Sequence, residues 1–223
     1  MTKKESKLIE IFKNEIAKIQ TPGLQEHLKN ILNLCPDYIS ECPSSSTGKY
    51  HPADEINPQG MTYHVKRCCI FAEEIGRMDD LSPLSIDILL MGCILHDVCK
   101  SGIPRGKYTV KEHPIYVYKI IQDYLPKVSG EMISNFLTTM DIKTGIETGN
   151  KVTLVSVLNS VANVCLFHEG RWTIPESKDT WKVTNKSAMS KEDIQLCKYM
   201  HMADFFASRR TVYEVMQTNE HSI

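Results

Sequence analysis

The chain has 223 residues, a formal net charge of −1 and an apolar share of 42%. That length supports one sizeable core, and the balanced charge excludes a bulk electrostatic pull toward nucleic acid or an anionic membrane. No apolar run reaches the roughly 20 residues of a bilayer span, and residues 1–7 carry no signal-peptide-like apolar stretch, so a cytoplasmic location is expected.

Residues 4–20 carry Leu8, Ile11, Phe12, Ile16 and Ile19 at helical spacing, with Lys and Glu opposite, and predict one amphipathic helix. Pro22-Gly23 ends it, and Leu24, Leu28, Ile31 and Leu32 mark a second, short helix. Residues 35–60 read as a long connector rich in Pro, Ser and Gly; loops of that length inside a domain are commonly functional. From Met61 the helical period returns, with His64, Cys68, Phe71, Ala72 and Ile75 on one face. Ser82-Pro83 is a helix start, Ser as N-cap and Pro in the first turn. The helix it opens runs through Leu89-Leu90-Met91-Gly92-Cys93-Ile94-Leu95 and ends in His96-Asp97, with Lys100 and Gly102 close behind.

Thr109 and Glu112 fit a capping box ahead of a buried helix marked by Ile115, Tyr118, Ile120, Ile121 and Leu125. Ile133, Phe136, Leu137 and Met140 predict another helix, and residues 141–150 a loop. Val152 to Phe167 is apolar enough for a central helix, stopped at Gly170. Residues 173–190 are loop-like, and a last helix is expected over 191–217. The eight cysteines include no Cys-x-x-Cys pair and fall mostly in apolar patterns, so they read as reduced core residues rather than a cysteine zinc site.

An apolar helix that ends in His-Asp leaves a carboxylate in the core, which is costly unless a cation or strong donors compensate it. Asp204, set between Ala203 and Phe205-Phe206, raises the same demand, with His201 nearby on its helix. His64 points with the core stripe of its own helix, and His113 and His168 stand at helix ends. Imidazoles and carboxylates together suit divalent metals such as Mn, Fe, Zn or Ni.

The order His64, His96-Asp97, Asp204 resembles the HD-domain phosphohydrolase superfamily. Leu95-His96-Asp97-Val98-Cys99-Lys100 resembles its central "HD-x-x-K" signature, and Pro52-Ala53 through Gly60-Met61-Thr62-Tyr63-His64 the approach to its first His. His113-Pro114 and His168-Glu169-Gly170-Arg171-Trp172 resemble segments of its two-metal members. Met200-His201-Met202-Ala203-Asp204-Phe205-Phe206-Ala207-Ser208-Arg209 resembles the ending of many small phage and bacterial members.

The resemblance implies an all-α helical bundle with a buried metal site. Residues 51–217 would form the catalytic core, 1–50 a helical extension and connector, and 218–223 a tail. It implies that His64, His96, Asp97 and Asp204 hold one divalent ion, and that His113 and His168 complete a second site bridged by Asp97. Mn, Fe, Mg, Zn and Ni are the candidate ions. The His113 and His168 rings each need their second nitrogen held by a carbonyl or a carboxylate, with Glu112 and Glu169 as nearby candidates. Asp97 and Lys100 would be catalytic. Lys100, Arg171 and Arg209 would meet the substrate, a nucleotide or other small phosphoester, and His201 would support a ligand rather than be one. A cyclic- or oligonucleotide phosphodiesterase and a catalytically silent regulatory binding module are the alternatives. No base-recognition motif, membrane segment or strong nucleic-acid signal accompanies these residues.

Overall fold

The computed structural model describes residues 5–45, 48–140, 147–170, 189–210 and 212. The N-terminal apolar stripe forms two short helices rather than one, α1 (Lys7–Ile11) and α2 (Lys13–Ile16). The break is at Phe12, whose backbone leaves the helical region (φ −104°, ψ 19°) and whose ring is fully buried. Helix α3 spans Leu24–Leu32. The connector that follows holds two single turns of 3-10 helix, Asp37–Glu41 and Ala53–Glu55.

Five longer helices build the site: α4 (Gly60–Met78), α5 (Pro83–Leu95), α6 (His113–Tyr124), α7 (Leu154–Leu166) and α8 (Lys191–Ala207). Helix α5 is the axis. Every residue from Asp87 to Cys99 is buried, and α4, α7 and α8 all pack on it. A helix apolar on every side has no solvated face, so neighbours must surround it. Ser82 caps its start as expected, its hydroxyl accepting from the Ser85 N–H at 3.0 Å. At the other end, Gly102 adopts φ +83°, which lets the chain turn sharply just after Lys100. Tyr38 fixes that exit: its hydroxyl accepts from the Ser101 N–H and donates to the Gly102 carbonyl, both at 3.0 Å.

The N-terminal helices join the same core. Leu8, Phe12, Leu24, Leu28 and Ile31 lie in one contiguous apolar cluster with residues of α4, α5, α7 and α8. A polar clamp reinforces the join: the buried Asp87 carboxylate accepts from the backbone N–H groups of Gln20 (3.0 Å) and Thr21 (2.7 Å).

Three local expectations are corrected. Residues 133–140 are not helical: Met132–Met140 is a strand, β1, paired antiparallel with β2 (Glu147–Thr153). The register pairs Ile133 with Val152 and Thr139 with Thr148, and β-branched residues favour a strand over the helix that the apolar spacing suggests. Part of the loop expected over 141–150 is therefore strand, and residues 141–146 lie outside the described residues. The Thr109–Glu112 capping box does not form; α6 starts at His113, with Glu112 at its N-cap and no side-chain cap. Pro114 lies in the first turn, where its missing N–H costs nothing, and so sets the start there. Helix α8 ends at Ala207, short of the expected 217, and residues 211 and 213–223 lie outside the described residues. The architecture is an all-α bundle with one appended hairpin. No helix among the described residues is long and apolar enough to cross a membrane.

Candidate metal centre

Three helices and two helix exits bring the predicted residues to one point. His64 comes from α4, His96 is the C-cap of α5, Asp97 follows it, and His113 opens α6. His168 stands just beyond α7, and Asp204 comes from α8. His64, His96, Asp97, His113 and His168 are all buried.

The Asp97 carboxylate is the hub. Its Oδ2 lies 3.4 Å from His96 Nε2, 4.0 Å from His64 Nε2 and 2.6 Å from Lys100 Nζ. Its Oδ1 lies 2.9 Å from His113 Nε2 and 3.8 Å from His168 Nε2. Asp204 Oδ1 closes the first side, 3.1 Å from His64 Nε2 and 4.0 Å from His96 Nε2. On the second side, His113 Nε2 and His168 Nε2 stand 3.4 Å apart.

The far nitrogens of the rings explain why the near ones converge. His96 Nδ1 bonds the Cys93 carbonyl (2.8 Å), His113 Nδ1 the Val110 carbonyl (2.7 Å) and His168 Nδ1 the Cys165 carbonyl (2.7 Å). In each case the partner is three residues back along the same chain, so the local turn aims the ring. A carbonyl only accepts, so each Nδ1 must carry the proton, and the neutral ring then presents a bare Nε2 lone pair. Of the partners expected for the His113 and His168 rings, a carbonyl or a carboxylate, backbone carbonyls hold both, and Glu112 and Glu169 do not. Several lone pairs and two carboxylates thus face one another in a buried space. His96 Nε2 and Asp97 Oδ1 have no hydrogen-bond partner there, an arrangement that a divalent cation satisfies.

The electrostatics agree. Burial alone would raise the Asp97 carboxyl, but the Lys100 ammonium and the adjacent imidazoles hold it well below its ordinary value. Asp204 is likewise held low against its burial, chiefly by His64. Burial and the neighbouring His96 push His168 down to about 3, which keeps its ring neutral. For His64, burial is outweighed by Cys68, Asp204 and Glu55, and the ring is raised well above its ordinary value.

Residues 61–199 match the protein-family model of the HD domain. The chain belongs to the HD-domain family. No curated protein and no solved structure matches it. HD domains form a superfamily of metal-dependent phosphohydrolases, and the buried His/Asp cluster fits a metal site. The matched segment of this HD domain includes His64, His96, Asp97, His113 and His168 but stops short of Asp204, which the packing of α8 on α4 brings in.

The remaining sequence candidates are placed differently. Lys100 reaches Asp97 from the solvent side, its side chain 19% exposed. His201 hydrogen-bonds the His168 carbonyl through Nδ1 at 2.9 Å, the supporting position expected of it. Arg209 stacks on the Phe205 ring, 3.9 Å from its centroid, and sits 5.3 Å from that of Tyr50. Arg171 lies outside the described residues.

One residue ahead of the matched segment is not singled out as a site residue by the sequence, although it lies in the stretch that leads to the first His. Glu55, fully buried, lies behind His64 with Oε2 3.5 Å from His64 Nδ1. The same oxygen meets His51 Nδ1 (2.7 Å) and accepts from the Ser44 hydroxyl (2.9 Å), while Arg67 grips the other oxygen. Burial would raise this carboxyl, but His51, His64 and Arg67 hold it well below its ordinary value. Gly60 makes the position possible: a Cβ there would stand 1.8 Å from the Glu55 carbonyl oxygen. Nothing periodic marks Glu55 in the connector; the only sequence signal is a carboxylate between a His-Pro and the start of the His64 helix.

Proposed function

We propose that this protein is a metal-dependent phosphohydrolase that hydrolyses a nucleotide or another small phosphoester. The observation that carries the reading is the convergence of four buried imidazoles and two carboxylates on Asp97, with unsatisfied acceptors pointing inward. His64, His96, Asp97 and Asp204 would hold one divalent ion, and Asp97, His113 and His168 a second. Bound there, such ions supply Lewis-acid charge that polarises a water and the phosphoryl oxygens.

The chain's own residues do the rest. The Nδ1 bonds fix the rings of His96, His113 and His168, so little reorganisation of these is needed at the moment of reaction. Lys100 holds a charge at the rim: burial would lower its ammonium, but Asp97 and Asp204 keep it raised. It is thereby fit to orient a phosphate and to stabilise charge that develops on it. Arg171 and Arg209 are further candidates for substrate contact. Residues 51–217 would form the catalytic core, with 1–50 as its packed extension and 218–223 as a tail. The position of Lys100 beside the carboxylate hub favours an active enzyme over a silent regulatory module.

The test has two parts. Metal content is measured after Mn or Zn loading, and hydrolysis is assayed across nucleoside mono-, di- and triphosphates, cyclic nucleotides and short oligonucleotides. Bound metal with release of phosphate or nucleotide is expected. Turnover confined to cyclic or oligomeric substrates would instead make it a phosphodiesterase, and absence of both metal and turnover would refute the reading.

A further inference from the structure

Cys68 lies one helical turn past His64 on α4 and is fully buried. Its Sγ is 3.5 Å from His64 Nε2, the same nitrogen that faces Asp204 at 3.1 Å. One donor atom from each of Cys68, His64, His96 and Asp204 falls within 4.8 Å of the other three. Bonds of about 2.0–2.3 Å set neighbouring donors around one ion roughly 3–3.5 Å apart, so the Cys68–His64 spacing is that of two ligands of one ion. Other buried cysteines are turned elsewhere: Cys93 Sγ abuts Met200 Sδ at 3.7 Å, and Cys165 Sγ lies 3.8 Å from the Gly92 carbonyl. The second, independent observation is His96 Nε2. It is buried and unpartnered, and its ring is committed through Nδ1 to the Cys93 carbonyl.

We propose that Cys68 is a thiolate ligand of the ion held by His64, His96 and Asp204, and that this half of the centre takes a thiophilic divalent ion. The inference rests on the metal-centre reading above and adds a donor to it. A soft sulfur donor selects zinc, cobalt(II) or iron(II) over magnesium and manganese. On binding, the metal replaces the thiol proton, which leaves to solvent, so uptake releases one proton from this group. The thiolate joins the Asp97 carboxylate in the coordination sphere rather than replacing it.

The test is the absorption spectrum of metal-stripped full-length protein reloaded with cobalt(II) under anaerobic conditions. Wild type is expected to show the visible ligand-field bands of bound cobalt and a near-ultraviolet sulfur-to-cobalt charge-transfer band. Cys68→Ser and Cys68→Ala should lose the charge-transfer band and keep the visible bands, while Cys165→Ala should keep both. Visible bands without a charge-transfer band in wild type would overturn the cysteine ligand and leave the metal centre standing. Absence of any bound cobalt would overturn both. Should the alanine variant fail to fold, the wild-type and serine spectra decide the matter; persistence of the band in Cys68→Ser would also refute the proposal.

Discussion

On one side of Asp97, His64 is backed by the buried Glu55 carboxylate and faces Asp204 at 3.1 Å. On the other, His113 and His168 are backed only by carbonyls of their own chain segments and face each other at 3.4 Å. The first side therefore carries negative charge of its own, whereas the second borrows most of it from Asp97. Glu169 clusters with His113 and His168, its carboxyl raised by burial. The difference teaches that one bundle can build two kinds of imidazole site. One is braced from behind by a buried carboxylate. The other is aimed by local turns alone, and should release its ion more readily.

The largest expected effect is at the residue the two sides share. Asp97→Ala should lose both ions and reduce turnover by at least about 10³-fold, a loss typical of removing a group on which others depend. Metal analysis beside activity checks it, and full activity in this variant would end the mechanism. Next, His113→Ala and His168→Ala should each keep the first-side ion, lose the other and lose roughly 10²-fold or more in turnover. If metal stoichiometry is unchanged in both, the second side is not a site and the contrast collapses.

Lys100→Met should cost about 10²-fold in turnover, the scale of one charge-stabilising contact, with both ions retained. The motivation is its 2.6 Å contact with Asp97 at the rim; a variant that loses metal but keeps the turnover of its loaded form would assign Lys100 to ligand support instead. The smallest effect sharpens the comparison most. Glu55→Gln removes the charge behind His64 and should weaken only the first-side ion, by about 10–100-fold, as outer partners of metal-binding histidines do. Competition with a chelator reads this directly, and equal weakening of both ions would show that Glu55 acts on the fold at large.

Much of this arrangement was legible in the sequence because it is written in helical periods. The run Leu89 to Leu95 announced a buried helix, and the polar pair at its end announced an uncompensated carboxylate. Asp204 amid apolar residues said the same of α8. What was hidden depends on turns and long-range packing. Val110 and Cys165 serve through their carbonyls, which every residue possesses, so no side-chain pattern marks them. Glu55 lies in a connector without period, and its role appears only when the close approach at Gly60 sets it against α4. The hairpin was misread because Ile133, Phe136, Leu137 and Met140 also satisfy a helical spacing, and only the partner strand decides between the two.

The clamp of Asp87 on Gln20 and Thr21 makes the unit that folds larger than the unit that the family defines. The family match begins at residue 61, yet the Asp87 carboxylate takes its only described donors from Gln20 and Thr21, outside that match. A version trimmed to the family segment would lose both hydrogen bonds that tie the N-terminal segment to α5. Trimming would also expose the apolar faces of α5 and α6 that α2 and α3 cover. Recombinant work on the isolated segment should therefore meet aggregation, and residues that touch no ion decide whether the ion-binding half can exist at all.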